Sequence, residues 1–416
     1  MKRRVFLSTL TIALGGCAAW WHRDWLPTRG LSNRCLSAEI PETLAGHPAV
    51  SQALDGLDRA RVWDCHAHLL GTGDEAGEGL WVNPAMESPW HPIQALQKRF
   101  YLNASCVTEE QGGDAAYVNR MLDLSRFMGS ARLMLLAFDY HHDEHGQRRP
   151  ELSSFYVSNE YAQSVASRHD RLEWTCSVHP YREDALGALR WSAARGARAV
   201  KWLPPAMGMD PSSPRCDAFF ETMRELGLPL LSHGGDELAA QGGGQQHLGN
   251  PLLLRRALDH GVRVIVAHCA SQGVGRDIRR KEKTQPRVRN FSLFMQMMRE
   301  PSYEGLLYGD ISATTQVNRA AVALRELLQA DDLHHRLLNG SDYPLPGVVP
   351  LFSPLQIERL GLIDEAVARQ VFVIQNHNPL LFDLVLKRNL RWQGRGFSTQ
   401  VFETADFFRE NTGPRT

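Results

Sequence analysis

From Val62 to about residue 385, short apolar runs alternate with longer amphipathic stretches. Strands and helices that succeed one another in this way mark an α/β protein. Eight runs read as strands: 62–70, 132–140, 172–179, 197–203, 229–233, 263–268, 305–311 and 336–339. A long excursion, residues 71–130, separates the first two; it is rich in Gly, Pro and Trp at first and helical later. Helical stretches follow the other strands, near 155–168, 184–195, 217–226, 251–260, 293–299 and 320–329, with closing helices after Glu365. Eight such units predict a (β/α)8 TIM barrel. The competing arrangement is an open, doubly wound sheet. It is disfavoured because no Gly-rich phosphate turn follows the first strand, and because polar residues gather at strand C-termini, where barrels build their sites.

Those polar residues form a pattern. Val62-Trp63-Asp64-Cys65-His66-Ala67-His68 is an apolar strand ending in two histidines one residue apart. Residues i and i+2 of a strand share a face, so both imidazoles can aim at one point. Lys201 ends the fourth strand, His233 the fifth, His268 the sixth, and Asp342 follows the eighth. Lys201, His233 and His268 are 32 and 35 residues apart, and Asp342 lies 74 beyond. A barrel unit of roughly 30 residues explains these intervals. One histidine at a strand end is usually a packing residue; four, with a lysine and an aspartate in this order, suggest a metal site.

Asp64-Cys65-His66-Ala67-His68, Lys201, His233, His268 and Gly340-Ser341-Asp342-Tyr343-Pro344 resemble the amidohydrolase superfamily, in its amidohydrolase-related branch, over about residues 60 to 385. The resemblance implies that His66, His68, His233, His268 and Asp342 hold one or two divalent ions. Zinc suits imidazole best, with manganese as the alternative. It further implies that a carboxylated Lys201 bridges two ions and that Asp342 is the catalytic base. The activity expected is hydrolysis of an amide, lactone or other ester bond by metal-activated hydroxide. Lys201 has two other readings, since an ammonium cannot ligate. It could orient an anionic substrate beside one ion, or pair with a neighbouring carboxylate. Two other functions stay open: a mononuclear decarboxylase of the same branch, and a barrel that binds a ligand without turnover.

Substrate contacts are expected from loops on the same face. His179 ends the third strand, Trp202 adjoins Lys201, and Trp81, with Trp90 and His91, lies in the first long loop. Asp236, Glu237, Asp310 and Ser312 adjoin strand ends as further candidates. Arg276 begins a basic run to Arg289 that could steer a carboxylated or phosphorylated substrate.

The ends of the chain add an address. Residues 1–20 combine a basic start, a short apolar segment and small residues, as a signal peptide does. Arg3-Arg4-Val5-Phe6-Leu7 resembles a twin-arginine export motif, and Leu14-Gly15-Gly16-Cys17 a lipobox, with Cys17 acylated. The expectation is a periplasmic protein held by an N-terminal lipid, its only link to a membrane. Residues 21–60 read as a tether and a short helix near 47–57, residues 61–386 as the barrel, and 387–416 as a tail without periodicity. The 46 Lys and Arg balance 46 Asp and Glu, which gives no reason to expect a nucleic-acid partner. A small-molecule substrate is the partner expected; a homo-oligomer is left open. Seven cysteines in 416 residues are not a disulfide framework, and no disulfide is expected. Cys65 and Cys269 should pack as small core residues.

Overall fold

Eight parallel strands occur in chain order where the pattern places them, each shorter than the apolar run that encodes it. They are β1 (Trp63–His68), β2 (Arg132–Leu136), β3 (Leu172–Thr175), β4 (Val200–Trp202), β5 (Leu230–His233), β6 (Val264–Ala267), β7 (Leu307–Asp310) and β8 (Leu337–Leu338). The computed structural model describes residues 32–70, 73, 79–107, 113–240, 244–349 and 351–409. The signal segment, its arginine pair and Cys17 lie outside the described residues.

β1, β2 and β3 pair side by side, as do β4 to β8. Isolated parallel bridges join the two sheets at both seams, Cys176 with Val200 and Ala67 with Tyr343. Backbone bonds reinforce each seam: Lys201 N–H donates to the Cys176 carbonyl at 2.6 Å, and Asp342 N–H to the His66 carbonyl at 2.7 Å. The eight strands therefore follow one another around a ring.

Alternation along the strands divides the side chains. Met134, Leu136, Ala199, Leu231, Ile265 and Ala267 pack inside the ring with Trp63 and Cys65. Their neighbours Leu133, Leu135, Val200, Leu230, Val264 and Val266 face the helices. β1 departs from strict alternation, because its register against β2 shifts between Asp64 and Ala67. An extra residue at a bulge re-aims the side chains beyond it.

The terminal segments are tied to the barrel. Ala405 and Phe408 pack into the interior cluster, with Phe408 stacked on Trp63. Thr404 Oγ1 donates to the Trp63 carbonyl at 2.5 Å. The helix Pro379–Asn389 runs through the boundary expected at residue 386. The predicted leading helix is Pro48–Leu54, and His47 caps it. The expectation of no disulfide is corrected: Cys35 is bonded to Cys106, with Cα atoms 5.3 Å apart. The described part of the expected tether lies against the barrel. Asn33 N–H donates to Asn103 Oδ1 at 2.8 Å, and Leu36 N–H to the Asn376 carbonyl at 2.9 Å. This folding back brings the two cysteines together. Cys65, Cys176, Cys216 and Cys269 are free and buried.

Candidate metal centre

His66, His68, Lys201, His233, His268 and Asp342 all line one cavity of about 400 Å³. Strand parity puts Lys201 and His233 there, since Ala199 and Leu231 two residues earlier face the interior. The β1 bulge brings His66 and His68 to the same side. After β6 the chain turns sharply, with His268, Cys269 and Ala270 all at positive φ. Asp342 also has positive φ, at 64°. Asp64 ties β1 to the segment carrying Asp342, because its Oδ1 accepts from His66 N–H at 3.1 Å and Ser341 N–H at 2.8 Å. The approach is close enough that a Cβ on Gly340 would meet the His66 Cβ at 2.5 Å.

The donor atoms converge. Asp342 Oδ1 lies 3.1 Å from His68 Nε2 and 3.3 Å from His66 Nε2. Lys201 Nζ is 3.1 Å from His66 Nε2. His66 and His268 are held by their other nitrogens. His66 Nδ1–H donates to Asp310 Oδ2 at 2.6 Å, whereas His233 Nδ1 only lies 3.2 Å from Glu237 Oε2 and its Nε2 lies 3.4 Å from the Asp236 carbonyl. His268 Nδ1 is 2.8 Å from Ser312 Oγ, which donates to Asp310 Oδ2 at 2.7 Å. At His66 and His268 a fixed Nδ1–H leaves the Nε2 lone pair for a ligand bond, the usual support of a metal-binding imidazole.

Electrostatics agree with this donor set. Burial holds the His66 and His268 imidazoles well below their ordinary pKa and brings His233 to about 4, so all three are neutral at pH 7. Burial alone would raise Asp342, but His66, His68 and Lys201 outweigh it and hold the carboxyl well below the usual range. Burial pushes Asp310 up to about 6 and Lys201 down to about 8. Neutral imidazoles beside an ionised carboxylate are the ligands a zinc-like ion requires. His66, His68 and Asp342 fit such an ion, their ligand atoms lying within 4.8 Å of one another. His66, His268 and Asp310 meet the same distance criterion. There, however, Asp310 is engaged with His66 Nδ1 and Ser312, which gives it an orienting place.

Four expected substrate contacts lie outside the cavity lining. Trp202 follows an inward lysine on a strand, so it points out, onto Phe219 and Phe220. His179 is buried, with Nε2 3.1 Å from the Met207 carbonyl and its ring 4.7 Å from that of His142. Trp81 belongs to a two-stranded ribbon, Leu80–Val82 with Phe155–Val157, and packs on Tyr140. Arg276 is exposed on a second ribbon, Val274–Arg276 with Arg287–Arg289. The long first loop does supply wall, through Gln97, Phe100 and Tyr101 of the helix Pro92–Ser105, whereas Trp90 is 87% exposed. Asp310 and Ser312, read as substrate contacts, instead hold the His66 and His268 imidazoles, while Glu237 lines the cavity beside His233. Arg319, on the cavity wall, carries no motif that would single it out in the sequence.

A family model described as amidohydrolase matches residues 63–373. The chain belongs to the amidohydrolase family. Solved structures similar to it include an uncharacterised TIM-barrel protein from Bordetella bronchiseptica, 14% identical, covering 78% of this chain and 99% of that one, TM-score 0.45. The IDCase of Metarhizium anisopliae is 13% identical, covering 87% and 99%, TM-score 0.44. The 4-oxalomesaconate hydratase of Rhodopseudomonas palustris is 11% identical, covering 84% and 98%, TM-score 0.39. No curated protein matched the sequence.

Proposed function

We propose that this amidohydrolase-family chain is a metal-dependent hydrolase that cleaves an amide, lactone or other ester bond. The observation that carries the reading is the convergence of Asp342 Oδ1 with the Nε2 atoms of His66 and His68 on a cavity wall. These three, with His233 and His268, would hold the ion, zinc or manganese. When bound, such an ion lowers the pKa of water to about 7 and polarises a carbonyl. Asp342, kept ionised by its neighbours, accepts the proton of the attacking water and returns it to the leaving group. Asp310 and Ser312 fix the His66 and His268 imidazoles so that their lone pairs face the cavity.

Lys201 decides the nuclearity. Its amine is buried and its pKa is lowered to about 8, so a neutral, carbon dioxide-reactive fraction exists near neutral pH. We propose a carboxylated bridge between two ions. Metal content per chain, after growth with zinc or manganese and bicarbonate, tests this. Two ions in the wild type, falling to one or none in Lys201→Ala, are expected. One ion in both would favour the mononuclear reading, which the 3.1 Å approach of Lys201 Nζ to His66 Nε2 also fits. That result would place decarboxylation level with hydrolysis; no metal in either would sink the reaction proposed.

We also propose export and lipid anchoring through Cys17. The Cys35–Cys106 bond supports this, because disulfides persist mainly in oxidising compartments. No helix among the described residues is long and apolar enough to cross a membrane. Palmitate labelling should mark the wild type and not Cys17→Ala; an unlabelled wild type would remove the anchor.

A further inference from the structure

Arg319 sits between β7 and the helix Ala320–Gln329, on the wall of the cavity that holds the candidate metal ligands. It is 5% exposed. Its Nε donates to Gln316 Oε1 at 3.1 Å and its Nη1 to Ser271 Oγ at 3.3 Å, both neutral acceptors. Among the described residues no carboxylate pairs with it. Two other buried cations are paired with carboxylates: Arg198 lies 2.8 Å from Glu173, and Lys387 lies 2.6 Å from Asp383. Asp342, Glu237, Asp236 and Asp310 act on Arg319 through space, but none of them forms an ion pair with it; a buried guanidinium held only by neutral acceptors keeps donors for a direct carboxylate partner. Among the described residues the second terminal nitrogen has no hydrogen-bond partner and is not fully buried, so it is open to a ligand. A planar guanidinium with donors to spare is suited to a carboxylate.

Phe100, Phe138, Phe155, Leu238 and Leu351 give the same wall apolar surface, alongside the polar Gln97, Glu237, Gln272 and Asn318. The cation and the ligand cluster line the same cavity.

We propose that Arg319 is a carboxylate-binding residue, and that the substrate carries a carboxylate remote from its scissile bond on an aromatic or aliphatic body. Gln316 and Ser271 hold the guanidinium in place. Apolar walls take the body and leave the cleavable group at the histidines and Asp342. The assignment to a substrate rests on the hydrolase reading; the binding of a carboxylate does not.

Calorimetric titration of the full chain, metal-loaded and chelator-treated, with 4-phenylbutyrate and with its amide tests the proposal. The wild type should prefer the acid by about 30-fold or more in both metal states, as expected for one desolvated charge pair. Arg319→Met should lose that preference by weakening the acid while leaving the amide unchanged, and Arg319→Lys should keep part of it. A wild type that binds acid and amide equally overturns the proposal without needing any variant to fold. A preference that survives in Arg319→Met, or vanishes on chelation, also overturns it, by assigning the carboxylate to the metal; the hydrolase reading would then stand. Acid preference in a chain that takes up no metal would retain the subsite and sink the hydrolase reading instead.

Discussion

Asp342→Asn is expected to lower turnover by about 10²–10⁴-fold, the range for removing a positioned general base, while the chain stays folded. Asparagine keeps the shape of the side chain but cannot take up the water proton. It also places a neutral group 3.1 and 3.3 Å from the Nε2 atoms of His68 and His66. The backbone around the site should survive, because Asp342 N–H donates to the His66 carbonyl and Asp64 holds Ser341 N–H, neither through the Asp342 carboxylate. The measurement is kcat on whichever ester, lactone or amide of a panel the wild type turns over, with metal content determined on the same samples. A fall in kcat at unchanged metal content isolates proton transfer. A fall in both says that the carboxylate is needed first as a ligand. Undiminished turnover with metal retained would remove Asp342 from the chemistry.

The strand ends were legible because burial and chemistry oppose each other there. An apolar run that stops at a histidine or lysine stands out, and the barrel period then sets where the next should be. Lys201, His233, His268 and Asp342 follow that rule and reach one cavity. Trp202 shows its limit, since one residue beyond an inward lysine the strand faces the helices. The β1 bulge is equally hidden, because nothing in Asp64-Cys65-His66 announces an extra residue. Partners brought together by the closed ring could not be paired from the chain alone: Asp310 is 244 residues from His66, and Cys106 is 71 from Cys35. Arg319 was missed because a loop arginine reads as surface until a cavity forms around it.

A second large effect is expected far from any substrate. Lys387 and Asp383 are fully buried on the helix Pro379–Asn389, with Nζ 2.6 Å from Asp383 Oδ2. The same ammonium donates to the Gly340 carbonyl at 2.7 Å and to Asn339 Oδ1 at 3.3 Å, so it clamps the end of β8 two residues before Asp342. Lys387→Met fills similar space but leaves Asp383, whose carboxyl burial pushes up to about 7, without its counter-ion. Breaking a buried pair from one side costs about 3–5 kcal/mol, whereas replacing both partners with apolar groups can be close to neutral. Chemical denaturation of the metal-stripped chain should show that loss for Lys387→Met and a partial recovery for Lys387→Met with Asp383→Leu. Recovery should be incomplete because the Gly340 carbonyl and Asn339 still lack a donor. With Gly340 packed against His66, the single variant should also bind metal more weakly. A loss under 1 kcal/mol would mean that water reaches the pair and that the clamp does not hold the site. A loss that the double variant does not relieve at all would place the whole effect on the β8 carbonyl contacts rather than on the stranded carboxylate.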